Sequence, residues 1–185
     1  MTSSIRDIAY KLRQGQLIAL ADETGWSVAA DPVNDAAVAQ LLTLTAVMPA
    51  ELQPTVLIKN ADQLTLYVVK MPDVAYDLVD FAENPLTVVY DQGKNLSTVF
   101  LQPVATSDGG SMVDGVAVRR VLNVDIQQLI GSFGRGLLAV PFEALALPPV
   151  AEALVVDRFG VLPGMPKRSR IMRLQANGEV SFIRK

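Results

Sequence analysis

The stretch Ala21-Asp22-Glu23-Thr24-Gly25-Trp26-Ser27-Val28 carries the densest set of chemically useful side chains in this chain. Its adjacent carboxylates, Asp22 and Glu23, can hold a magnesium ion or a substrate amine, or simply form a hydrophilic turn. Trp26, the only tryptophan, offers a face on which a base can stack, or half-buried packing. The stretch reads as a polar elbow between a buried strand, Leu17-Ile18-Ala19-Leu20, and a helix starting at Asp31-Pro32. A turn at the carboxyl end of a strand is where open α/β sheets place ligands. Arg119, at the end of the apolar run Val116-Ala117-Val118, can grip a phosphate or a carboxylate. Arg158, Lys167, Arg168, Arg170, Arg173, Arg184 and Lys185 crowd the last segment, against Glu152, Asp157 and Glu179. That pattern reads as a solvated strand face, and Arg168, Arg170 and Arg173 could also steer RNA.

Several chemistries are excluded by composition. There is no histidine and no cysteine, so imidazole catalysis, thiol catalysis, disulfides and serine triads are ruled out. Without those ligands neither zinc nor haem is expected. Neither the dinucleotide-binding glycine fingerprint nor a P-loop is present. The glycine-rich run 131–136 follows a helix and precedes a strand, the reverse of a phosphate-cradling order, so it reads as a helix stop. A net charge of −3 argues against broad nucleic-acid binding. Hydrophobic residues are 50% of 185, enough for one sizeable core. No run of about 18 apolar residues exists, so no membrane span is expected. The start of the chain lacks a basic and then apolar leader, and a cytoplasmic location is the expectation.

The elements that must position these residues alternate between helix and strand. Ser3 or Ser4 caps a helix carrying Ile5, Ile8, Ala9 and Leu12, stopped by Gly15. Asn34 caps a second helix with Val38, Leu41 and Leu42 inward. Val56–Ile58 is a strand, 62–67 a short helix, and 73–82 a helix facing inward with Val74, Leu78 and Phe81. Leu86–Tyr90 and 99–104 are strands, and 106–111 is a loop. Asn123 caps a helix ending at Gly134, and Leu137–Val140 is an apolar strand. Asn177-Gly178, between Arg170–Leu174 and Val180–Ile183, signals a hairpin with a type I′ turn. The whole, residues 1–185, is expected to be one α/β domain: a twisted mixed sheet flanked by helices and closed by a C-terminal β-hairpin.

The order of these parts resembles the YrdC-like family, the threonylcarbamoyl-AMP synthases. That family activates L-threonine and bicarbonate with ATP for the modification of tRNA. Its opening "GGIVAYPTETVYGLGCDP" is similar to the segment from Gly15 to Pro32. Its "PGPxTxVL" strand resembles Glu83 to Tyr90, and its "VAVRxP" strand resembles Gly115 to Val121. Its closing "PSTIVDL…ILR.G" resembles Arg168 to Leu174 and Val180 to Arg184. The resemblance implies ligand contacts at Glu23, Thr24, Thr87, Arg119 and Ser169, with ATP and magnesium as cofactors. It implies a nucleotide or other small-molecule ligand, and tRNA or double-stranded RNA as a partner.

The departures from the family pattern are as informative as the matches. The family's "K-x-R" falls at Thr45 and Val47, which cannot supply charge-assisted donors to an anion. Its "S-x-N" falls at Pro141 and Glu143, placing a carboxylate among Phe142, Ala144 and Leu145 where a triphosphate would be repelled unless magnesium lay between them. Its "PT" ahead of Glu23 is Ala21-Asp22 here. Each lost donor is worth on the order of 10²–10³ in rate. The expectation is therefore a retained fold with the ordinary synthesis lost or changed.

Overall fold

The computed structural model describes residues 3–101, 104–105, 111–112 and 115–185. Nine strands among these form one mixed sheet: β1 (Leu17–Asp22), β2 (Gly25–Ala30), β3 (Thr55–Ile58), β4 (Leu86–Tyr90), β7 (Val116–Arg120), β8 (Leu137–Pro141), β9 (Val155–Phe159), β10 (Arg170–Leu174) and β11 (Val180–Arg184). Their order is β11-β10-β4-β7-β3-β8-β2-β1-β9. The pairs β1/β9, β3/β7 and β4/β10 are parallel and the others antiparallel. A separate ribbon joins β5 (Val104–Ala105) to β6 (Ser111–Met112). The expected mixed sheet, flanking helices and C-terminal hairpin are all present.

Alternation along each strand sends side chains to two faces, and the faces are covered differently. On the first, α2 (Asp35–Leu42), α3 (Leu64–Tyr67), α4 (Val74–Asp80) and α7 (Pro149–Leu154) cover Val28, Val56, Val88, Val118, Leu138 and Met172. On the second, α1 (Ile5–Arg13) and α6 (Val124–Phe133) cover Ile18, Leu20, Ala29, Leu57 and Leu137. These two helices reach only the β1–β3 half of that face. Over the remainder lies the segment 48–53, which sets Leu52 against Val89, Ala117 and Ile171. The candidate site lies on this second face, under that segment.

The helix signals hold where caps carry them. Ser4 accepts from the Asp7 amide, Asn34 from Ala37 and Asn123 from Ile126, each satisfying a free first-turn donor. Gly134 ends α6 with φ of 95°.

Four local expectations are corrected. The polar elbow is a tight β-hairpin: Asp22 pairs with Gly25, and Trp26-Ser27-Val28 lies within β2. Gly25 is obligatory there, because its φ is 104° and a Cβ would come within 2.5 Å of the Ala144 carbonyl oxygen. α4 turns Ala75 and Val79 inward, leaving Val74 and Phe81 exposed and Leu78 half-buried. Its seven residues are too few for the 3.6-residue period to fix one face from sequence. Where a strand was expected at 99–104, Thr98–Leu101 forms the short helix α5, seated on the Ser97 cap. Pro103 and the loop residues 106–110 lie outside the described residues. The C-terminal hairpin has no type I′ turn. Gly178 N–H donates to Gln175 O, and only Gly178 in that turn takes a positive φ, 92°. That is the three-residue loop with glycine at its left-handed position.

Candidate functional site

One buried node dominates the second face. Asp22, the last residue of β1, and Arg119, in β7, point the same way from strands four apart in the sheet. The Arg119 guanidinium donates to Asp22 Oδ2 at 2.7 Å and to Glu23 Oε1 at 3.2 Å. Both Asp22 and Arg119 are almost fully buried, at 1% and 3% exposure. Burial alone would push the guanidinium towards losing its proton. The carboxylates of Asp22 and Glu23, the Asp22 hydrogen bond and the more distant Glu143 reverse that and hold the charge.

The remaining lone pairs of the node are also used. Asp22 Oδ1 accepts from the Thr24 amide at 2.8 Å and the Thr24 hydroxyl at 2.7 Å, closing the hairpin tip on itself. Glu23 accepts from the amides of Leu122, at 2.9 Å, and Asn123, at 3.1 Å. These lie just ahead of α6, where a carboxylate meets free amides and the positive end of the helix dipole. Asp22, Glu23, Thr24 and Arg119 therefore come together in one node. In this geometry, however, they satisfy one another.

A small cavity adjoins the node. It is lined by Ser27, Thr55, Thr87, Arg119, Glu143 and Ser169 along with apolar neighbours, and its volume is about 10 Å³. That is barely room for one water molecule. Leu52 and Gln53 from the overlying segment complete its wall. The Ser27 hydroxyl is buried there without a hydrogen-bond partner.

Glu143, two residues past the end of β8, has φ of 51°, a left-handed conformation that costs a non-glycine residue roughly 1–2 kcal/mol. Its carboxylate accepts from the Ser169 amide at 3.1 Å and from the Ser169 hydroxyl, and pairs with Arg184 Nη2 at 2.8 Å. At the rim, Glu51 Oε2 meets Arg168 Nη2 at 2.7 Å and Arg184 Nε at 3.2 Å.

Three other sequence candidates lie away from the cavity. Trp26 belongs to the opposite face of β2, packed in the core with Arg158 stacked 5.3 Å from its ring centroid, so it serves as packing. Thr45 is exposed on a 3₁₀ turn (Thr43–Val47), and its hydroxyl donates to Leu42 O at 2.8 Å. Arg170 lies over Phe182 and lines an open groove of about 530 Å³ beside α4, with Val74, Leu78, Phe81 and Glu83. Sequence reasoning missed Ser27, Thr55, Glu51 and Leu52. Ser27 and Thr55 carried one available signal: each alternates with core residues of its strand and so must share the face of Arg119.

A nucleoside triphosphate with magnesium does not fit the site in this arrangement. The cavity is far smaller than one phosphate group, and Arg119 is already matched by two carboxylates. The Glu143 carboxylate on the cavity wall is itself paired with Arg184, so it leaves no free cation for a phosphate there. Among the described residues no cluster of three acidic side chains is arranged to hold a metal ion. No helix among them is long and apolar enough to cross a membrane.

The family model Sua5_yciO_yrdC, described as telomere recombination, matches residues 10–141. No curated protein sequence matches significantly. Among solved structures, Sua5 of P. abyssi complexed with L-threonine superposes with a TM-score of 0.68 at 25% identity, covering 92% of this chain and 50% of that one. YciO of E. coli gives a TM-score of 0.69 at 15% identity, covering 98% and 88%. HypF in a phosphate- and nucleotide-bound form gives 0.68 at 15% identity, covering 98% and 28%. The chain thus spans half the length of the Sua5 protein it matches.

Proposed function

The chain belongs to the Sua5/YciO/YrdC family, and from that premise we propose that it is a threonylcarbamoyl-AMP synthase-like domain in which the ordinary ATP-dependent synthesis has been lost. Residues 1–185 act as one domain in this reading, linked to tRNA modification through its family. A cytoplasmic location goes with it. What the domain retains is weak binding of a small threonine-like ligand on the second face of the sheet, reached only when that face opens.

One observation carries the reading: both ends of the Arg119 guanidinium are held by Asp22 and Glu23, above a cavity of about 10 Å³. A synthase must bring three reactants together and neutralise a phosphoryl group as charge develops. Free cations facing an open cavity do that work. Here the positions resembling the family's cations are Thr45 and Val47, and the one buried cation of the site is already neutralised. Replacing the family's threonine by Asp22 is the change that matters most, because it supplies the carboxylate closest to Arg119.

Isothermal titration calorimetry of the full chain tests this, with ATP and magnesium, with and without L-threonine. The expected result is no heat from ATP up to millimolar concentration, and at most weak binding of threonine. Micromolar ATP binding that threonine tightens would overturn the reading.

A further inference from the structure

The segment that covers the cavity on the second face differs from the rest of its walls. It runs from Met48 to Gln53, just ahead of Pro54, and its exposed tip is Pro49, Ala50 and Glu51. Its internal backbone bonding is sparse: the Leu52 amide donates to Pro49 O at 3.0 Å. Two features hold it down. Leu52, only 8% exposed, inserts against Val89, Ala117 and Ile171 and forms part of the cavity wall. The Glu51 carboxylate bridges Arg168, just ahead of β10, and Arg184, at the end of β11.

We infer that residues 48–53 are a lid over the cavity beside Arg119, with Leu52 as its plug and Glu51, bridged to Arg168 and Arg184, as its latch. The lid rests on the reading that this cavity is the remnant of the family's ligand site. Three observations carry it. The latch pair is exposed, at 60% for Glu51 and 58% for Arg168, so water and salt can take its place. The closed arrangement leaves polar groups unsatisfied: Arg184 Nε and Nη1 are buried without completed hydrogen bonds, and so is the Ser27 hydroxyl beneath. Nε lies within ion-pair distance of Glu51 but is poorly aligned for a hydrogen bond. Lifting the plug joins a cavity too small for any ligand to solvent, exposing Thr87, Arg119 and Ser169 from below.

Hydrogen–deuterium exchange on the full chain tests the lid without any ligand. Glu51→Gln and Arg168→Gln should each speed exchange of residues 48–53 about fivefold, while α1 and α6 keep their protection. Sodium chloride at about 1 M should raise the wild-type exchange to the level of Glu51→Gln, leave Glu51→Gln unchanged, and act less on Arg168→Gln than on the wild type, because the Arg184 arm remains there. Leu52→Ala should speed exchange in the segment with the latch intact. Unchanged exchange in both glutamine variants, or an equal salt effect in variants and wild type, would overturn the latch. ATP binding in the calorimeter would defeat the loss of synthesis and leave the lid standing, whereas failure of the exchange test would defeat the lid alone.

Discussion

Two sets of arginine–carboxylate pairs lie within one face of the sheet, and they do opposite things. The inner set, Asp22 and Glu23 on Arg119, is almost dry, and every polar atom of its carboxylates is matched by an amide, a hydroxyl or the guanidinium. The outer set joins Glu51 to Arg168, both exposed to water, and to the largely buried Arg184, two of whose guanidinium nitrogens lack completed hydrogen bonds. Removing one partner of a buried pair strands a charge where water cannot reach it. Removing one partner of an exposed pair lets water replace it. The same chemistry is therefore a fixed strut in the first place and a releasable contact in the second.

The contrast breaks most clearly at Arg119. Arg119→Met leaves two buried carboxylates unpaired and should destabilise the chain by about 3–5 kcal/mol in urea unfolding. A loss below about 1 kcal/mol would mean that the inner node is hydrated after all and resembles the outer one. The plug comes next. Leu52→Ala should cost about 2 kcal/mol, the low end for a buried leucine, because the overlying segment can settle into the space.

Asp157, on the edge strand β9, sharpens the comparison because its burial is intermediate. Burial would raise its pKa, but hydrogen bonds from Lys11 and Ser3, the Arg158 amide and the Lys11 charge outweigh this and hold it down at about 2. Its folded pKa is depressed, so its contribution is present above the ordinary value of 3.8 and is lost as pH falls towards about 2. Asp157→Asn should remove about 1 kcal/mol at neutral pH, after allowance for solvent screening, and flatten the stability profile between those two pH values. The smallest effect belongs to Glu51→Gln, which should leave the melting temperature unchanged while loosening the segment 48–53. A clear drop in melting temperature would make Glu51 a strut and erase the distinction.

Much of the fold was legible because local chemistry and global topology agree along most of the chain. Ser4, Asn34 and Asn123 announce helices, and the apolar runs at 17–20, 56–58 and 137–140 announce buried strands. The failures share a physical cause. The elbow at 21–28 is polar at its tip, which obscured the period-two set Trp26, Val28 and Ala30 that lines one face of a strand. Short elements such as α4 and α5 take their orientation from the surface they dock on, which no local pattern records.

The site divides in the same way. Asp22, Glu23, Thr24 and Arg119 were each singled out from the sequence, and the structure gathers Thr87, Glu143 and Ser169 at one cavity. That the first four neutralise one another was not legible, because pairing across strands four apart in the sheet depends on strand order. The role of Glu51 was hidden for the same reason, since its partners lie more than a hundred residues away.

The most direct test of the central claim is pyrophosphate release from ATP, with L-threonine, bicarbonate and magnesium present and the full chain as the only protein. With Arg119 committed to Asp22 and Glu23 under a closed lid, release should stay at the protein-free background. Release that rises with enzyme concentration and requires both threonine and bicarbonate would show a working synthase and contradict this account.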